Sequence, residues 1–225
     1  MFNISPTWTM MGLDVVMVVY TLWVLSLDRP LGNKKIVIGS AMLGWLAVLH
    51  LGLSNQALFP SDISGFAFLL IIFTAVGIVG AGLLLISPAR QLLLGLSQQQ
   101  LMLMQGIRVF FGATFLMQAS TGDLPQGFGI LDGYTHIGAG FFGLIAAFSV
   151  AASISAERRV WFANIFGLVD ILVVASTLAL ILLPQIGPHH PMMYAVFLPA
   201  PLWLWFHVVS IWKLLQAKRS VDVNA

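Results

Sequence analysis

Cysteine is absent from the chain. That excludes disulfides, thiolate-ligated zinc and thiolate catalysis. Charge is scarce as well: Asp, Glu, Lys and Arg make up 8% of the 225 residues, against roughly 25% in soluble domains. With 59% hydrophobic residues, the chain has too little polar surface to dissolve in water, and lipid is the solvent that suits it. Met1 to Met10 hold no basic residue, so a cleavable signal peptide is not expected and the first apolar segment should remain as an anchor. No polar linker is long enough to separate two domains, which leaves a single transmembrane domain over residues 1–225. HExxH, GxSxG and a Gly-rich phosphate loop ahead of Lys are all missing. No lysine lies inside an apolar segment, because Lys213 falls at an edge, and that excludes a retinal Schiff base. Internal duplication of the kind that marks many transporters is not visible either. The composition therefore points away from an enzyme.

What is present is a series of apolar runs. A helix needs about 20 apolar residues to cross the hydrocarbon core. Seven segments meet that length, at about 8–27, 36–54, 64–87, 100–120, 134–155, 160–183 and 192–213. The predicted fold is all-α, a polytopic seven-transmembrane-helix bundle. Nine of the ten Lys and Arg residues fall in alternate gaps: Arg29, Lys34 and Lys35, then Arg90, then Arg158 and Arg159, then Lys213, Lys218 and Arg219. The intervening segments 1–7, 55–63, 121–133 and 184–191 have none. Cationic loops stay cytoplasmic, so the N-terminus is expected outside and the C-terminus in the cytoplasm, in an inner (plasma) membrane of bacterial type. The net charge of +2 signals orientation and not nucleic-acid binding. The expected partners are membrane lipid, a small-molecule ligand, and a second copy or another subunit of a membrane complex.

Local patterns add detail. Ala139, Gly143, Ala147 and Ala151 form a small-residue stripe on the fifth segment, with a shorter one at Ser40 and Gly44 on the second; such stripes let helices approach closely. Pro199 and Pro201 should kink the seventh segment and free carbonyls that need partners. The connection TGDLPQGFGILDG, 121–133, reads as a lid on the bundle or a short re-entrant turn. On the first segment Met10, Asp14, Met17 and Thr21 share a face.

Ionisable residues within the membrane are expensive and call for a partner. Arg108 and Asp170 sit near the middles of the fourth and sixth segments, each within roughly 5 Å of the midplane by helical rise. Matching depth predicts that they pair. Gln105 shares the face of Arg108, and Asn164, Trp203 and His207 fall at nearby depths on the sixth and seventh segments. These six residues are the predicted ligand-binding centre for a small solute, lipid or proton. The alternative is an ion pair that only fixes helix packing, as in an accessory subunit. A second set lies outside: His50 and His136 as axial ligands of haem b, or His189, His190, Met192 and Met193 as a copper site, thioether and imidazole both suiting that metal. That set makes a membrane redox protein the rival reading.

Two stretches carry a resemblance. One is RVFFGATFL from Arg108, followed by LPQGF and GYTHIGAG; the other is NIFGLVDILV followed by FLPAPLWLWFHVVSIWKL. Together they resemble an uncharacterised group of small bacterial multispanning inner-membrane proteins, over roughly the second half of the chain. The matching positions are Arg108, Leu124, Pro125, Phe128, Asn164, Gly167, Asp170, Pro201, Leu202, His207 and Ser210. His136 stands where that group often has an acidic residue. The resemblance implies a shared polar centre built from the fourth, sixth and seventh helices, and no activity.

Overall fold

A chain surrounded by hydrocarbon must satisfy its backbone polar groups internally, which favours helices. The computed structural model describes residues 5–154 and 156–223. The sequence readings that touch Met1 to Ile4, Ser155, Asn224 and Ala225 lie outside the described residues. Among the described residues there are helices and turns and no strand. The helices are α1 (Pro6–Leu25), α2 (Lys34–Ser54), α3 (Gly65–Leu85), α4 (Ser87–Gly95), α5 (Gln98–Leu103), α6 (Arg108–Thr121), α7 (Gln126–Ala151), α8 (Ala156–Thr177), α9 (Leu183–Ile186), α10 (Met193–Phe197) and α11 (Pro199–Val223). A π-helical turn, Leu178–Leu182, joins α8 to α9.

Among the described residues, six stretches are long and apolar enough to cross a membrane: 6–25, 34–54, 65–85, 98–121, 126–151 and 156–186. The seventh predicted segment is also helical, as α10 and α11, interrupted between Phe197 and Pro199, and is not one of these six apolar stretches. Burial is inverted relative to a water-soluble fold. Phe66, Ile78 and Leu85 are 66%, 68% and 78% exposed, whereas Arg108, Asn164 and His207 are fully buried. Apolar residues face out and polar residues face in, which is the arrangement suited to lipid.

Packing is centred on α7, which lies against α5, α6 and α8, while α11 packs on α8, α5 and α3. Glycines outside the small-residue stripe account for the closest approach of α6 to α7. A Cβ at Gly112 of α6 would run into the Gly133 carbonyl and Ile137 of α7. Ala139, Gly143 and Ala147 are buried as predicted, but Ala151 is exposed, and so are Ser40 and Gly44 of α2.

Side-chain contacts define the two ends of the bundle. At one, Trp8 stacks near His50, Phe59 near His189, and His190 Nε2 lies 3.0 Å from the Asp123 carbonyl. This is the histidine-bearing end. At the other, Gln100 Nε2 donates to the Val24 carbonyl at 2.9 Å, and Lys213 Nζ donates to the Leu96 carbonyl. Arg29, Lys34, Arg90, Arg158 and Arg159 belong to the loops and helix ends there, so it is the basic end.

Four differences from the sequence reading have physical causes. The 121–133 connection is neither lid nor re-entrant turn. Gly122 takes φ 82° and ends α6, and Pro125 starts α7, so the link is four residues, 122–125. The glycines of GFGILDG serve helix contact and not chain reversal, and α7 starts eight residues earlier than expected. The fourth segment is broken: residues 104–107 form turns between α5 and α6, tightened by bonds such as Gly106 N–H to the Leu103 carbonyl at 2.8 Å. The Tyr20 hydroxyl donates to that same carbonyl at 2.6 Å, giving it a second donor. An extra helix, α4, follows α3 directly, with Pro88 in its first turn. The expected kink in the seventh segment is a break at Leu198, and the Phe197 carbonyl there accepts the Trp45 indole N–H at 2.8 Å.

Candidate functional site: a buried ionic cluster on a broken helix

Arg108 opens α6 directly after the break. Its guanidinium, fully buried, ion-pairs through Nη2 with Asp170 Oδ2 of α8. Nη1 reaches Gln105 Oε1, the Gly167 carbonyl and His207 Nε2, each at 3.4 Å. The Trp203 ring of α11 covers the cation, with its centroid 5.1 Å from Cζ. Gly167 is required by this geometry, since a Cβ there would collide with the His207 ring and crowd Arg108 Nη1.

A second arm leads from Asp170 towards the histidine-bearing end. His136 Nδ1 lies 3.4 Å from Asp170 Oδ2 and 2.7 Å from Asp132 Oδ1, one helical turn earlier on α7. Both are ion-pair distances, although the ring nitrogen is not aligned for a hydrogen bond and neither Asp132 oxygen has one. The edges of Phe115 and Trp203 hold the imidazole at centroid distances of 5.5 and 5.6 Å. A cavity of about 40 Å³ adjoins the pair, lined by Asp132, His136 and apolar groups including Ile72, Val174, Met192 and Val196. At roughly 10–15 Å³ each, it has room for a few water molecules.

The third arm runs towards the basic end. Arg108 can only donate, so His207 Nε2 accepts and Nδ1 carries the hydrogen. Nδ1 then donates to Asn164 Oδ1 at 2.9 Å. Asn164 Nδ2 donates to Ser210 Oγ at 2.8 Å, and Ser210 Oγ donates to Gln98 Oε1 at 2.7 Å. Gln98 Nε2 returns to the Ser210 carbonyl at 2.9 Å. Gln105 Nε2 donates to the Trp203 carbonyl at 3.5 Å.

The six residues of the predicted centre, Gln105, Arg108, Asn164, Asp170, Trp203 and His207, are therefore in one bonded group. Asn164 and Asp170 do not share a narrow helical face, yet both reach it from either side of Gly167. The outer set is not brought together. His50 Nδ1 pairs with the Tyr194 hydroxyl at 2.8 Å, and the cavity beside His136 is not lined by His50. His189 stacks near Phe59, whereas His190 Nδ1 accepts from Met192 N–H at 3.2 Å. Burial holds the His190 imidazole below the ordinary histidine range, against the opposing pull of the Asp123 carbonyl. Met192 and Met193 point into the core. No group of three or more His, Asp or Glu side chains among the described residues is arranged to hold a metal ion.

Sequence reasoning missed Asp132, assigning it to a connection, and placed His136 with the metal ligands. The signal was the Asp-x-x-x-His spacing after Pro125, which puts both side chains on one helical face. Gln98 was missed because it lies outside the expected span. Two other buried polar side chains, Asp14 and Gln118, have no hydrogen-bond partner and stand apart from this bonded group.

The pair Arg108–Asp170 is testable by a double-mutant cycle. Arg108→Ala and Asp170→Ala should each lower stability by about 3–5 kcal/mol, because each strands a buried charge. The double variant should lose clearly less than their sum. Denaturation in detergent measures this; additive losses would mean the two groups are not coupled.

A search of curated proteins and of solved structures returns no match. A family model described as a domain of unknown function, DUF8737, matches residues 63–215, which span every member of the ionic cluster. The chain belongs to the family of that domain, DUF8737.

Proposed function

We propose that the protein is a multi-pass inner-membrane protein whose central cluster binds an exchangeable proton. In this reading α10 and α11 form the seventh crossing, the histidine-bearing end lies outside, and the basic end lies in the cytoplasm, as cationic loops do. The observation that carries the proposal is His136 set between two buried carboxylates, Asp132 and Asp170, with only Arg108 to balance them. Two carboxylates and one guanidinium leave one uncompensated negative charge. An uncompensated buried charge costs several kcal/mol. A single proton shared among Asp132, His136 and Asp170 removes it. His136 is the member of the group whose ring can both accept a proton and release one.

Packing favours a proton over the other ligands considered. Arg108, Trp203 and His207 are fully buried, and Arg108 is in contact with both of the others. The adjoining space, about 40 Å³, suits water and not a lipid chain or an organic solute. The rival reading, in which the charges only hold helices together, makes a different prediction for the proton.

Two measurements test the proposal. Reporter tags at the two ends of the chain should be found on opposite sides of the membrane, the C-terminal one in the cytoplasm; both on the same side would sink the seven-crossing arrangement. Infrared difference spectra of lipid-embedded protein, recorded between acid and neutral pH, should show a carboxyl or imidazole band that His136→Gln removes or shifts and that Asp132→Asn also alters. A spectrum with no band sensitive to either substitution would leave the cluster as packing alone.

A further inference from the structure

The cluster has two unlike sides. Towards the histidine-bearing end, His136 and Asp132 line the cavity, and the imidazole side chain retains 7% of its surface. The remaining cavity walls, from α3, α6, α8, α10, α11 and the π-helical turn, contribute no ionisable side chain. The charged groups facing His136 are thus Asp132 on its own helix, Asp170 on α8 and Arg108 on α6, while α11 presents the neutral Trp203 ring. Water, imidazole and carboxylate can each accept a proton on one side and release one on the other.

Towards the basic end the chemistry changes. The first group met is Arg108, a cation with no acceptor lone pair. It stands at the N-terminus of α6, where the helix dipole is positive, and an Arg combined with a half-helix end is a barrier to protons in pores. Beyond it the side-chain-to-side-chain donors run one way, Arg108 to His207, His207 to Asn164, Asn164 to Ser210 and Ser210 to Gln98, and the last amide turns back to the Ser210 carbonyl. Two of these links are amides. An amide N–H donates a hydrogen bond, but passing its proton on would require the imidic-acid form. The chain is a brace with fixed polarity and not a wire.

We infer that the cluster exchanges its proton with the histidine-bearing face alone, so that the protein reads acidity on that side and does not conduct protons across. This rests on the proton-binding reading above. Protonation changes the charge that Arg108 balances, and Arg108 is the first residue after the break in the fourth segment. The element biased by the proton is therefore the α5–α6 junction at 104–107.

The test uses full-length protein in liposomes, with one orientation selected through a C-terminal tag. The trapped dye pyranine reports proton flux under a potassium–valinomycin potential. Tryptophan emission reports the site, because the Trp203 ring touches His136. The part of the pH response that His136→Gln removes is taken as the signal, with Asp132→Asn as the second variant if the first does not assemble. The expected result is flux within two-fold of protein-free liposomes, with emission that follows pH on the histidine-bearing face while the other face is clamped. Flux more than two-fold above background and lost in either variant would overturn the inference, and so would emission that follows the basic face. Those outcomes leave the proton site intact. Emission that responds to pH on neither face through His136 or Asp132 would instead remove the proton site, and this inference with it.

Discussion

A guanidinium with no exposed surface must have every neighbour arranged for it, and much of this fold can be traced to that need. Arg108 requires a counter-charge, acceptors for its N–H groups and a polarisable cover. Asp170 supplies the first. The carbonyl of Gly167, Gln105 and His207 supply the second for Nη1, leaving Nε without an acceptor, and Trp203 supplies the third. Each provision constrains backbone. Gly167 has to lack a side chain so that α8 can approach Arg108 and His207. The fourth segment has to break before Arg108, which brings Gln105 and the start of α6 to the same place. Replacing any single partner would leave a buried polar group unpaired, a penalty that does not arise on a water-exposed surface.

From that centre the protein is asymmetric. One side holds groups that can change charge, next to a small cavity. The other holds His207, whose Nε2 is committed to accepting from Arg108, followed by amides and a hydroxyl that keep their charge, joined in a chain of donors. A structural ion pair alone needs neither Asp132 nor the space beside it. In the proposed reading Asp132 makes the cluster more than a brace, since it adds a second carboxylate beside the single guanidinium of Arg108. The apolar walls around it keep the local dielectric low, which strengthens the electrostatic consequence of gaining or losing one proton.

Much of this was legible in the sequence because hydrophobic run length and intramembrane charge are strong signals. The matching depths of Arg108 and Asp170 predicted their contact, and Pro199 with Pro201 predicted the interruption in the last segment. What escaped was governed by glycine and by local backbone. GFGILDG resembles a loop because glycine destabilises helices in water, yet in a membrane bundle glycine serves close helix contact. That reading hid Asp132, by leaving it in a connection. The π-helical turn at 178–182 is all Leu, Ile and Ala and leaves no mark in apolar run length, and the break at 104–107, Met-Gln-Gly-Ile, is too short to interrupt the apolar run around it. His189, His190, Met192 and Met193 are consecutive enough to suggest a ligand set, but the turn sends the two histidines to different neighbours and both methionines inward.

The central claim is that one proton resides in the Asp132–His136–Asp170 group. Nitrogen NMR of imidazole-labelled protein in lipid measures it directly, with His136 assigned by comparison with His136→Gln. The account predicts that the His136 ring resonances change with pH between the proton-loaded and proton-free forms, and that Asp132→Asn moves the midpoint to lower pH by removing a carboxylate that favours the charged ring. Resonances of His136 that stay in one neutral form from mildly acid to mildly alkaline pH, and are unmoved by Asp132→Asn, would contradict it.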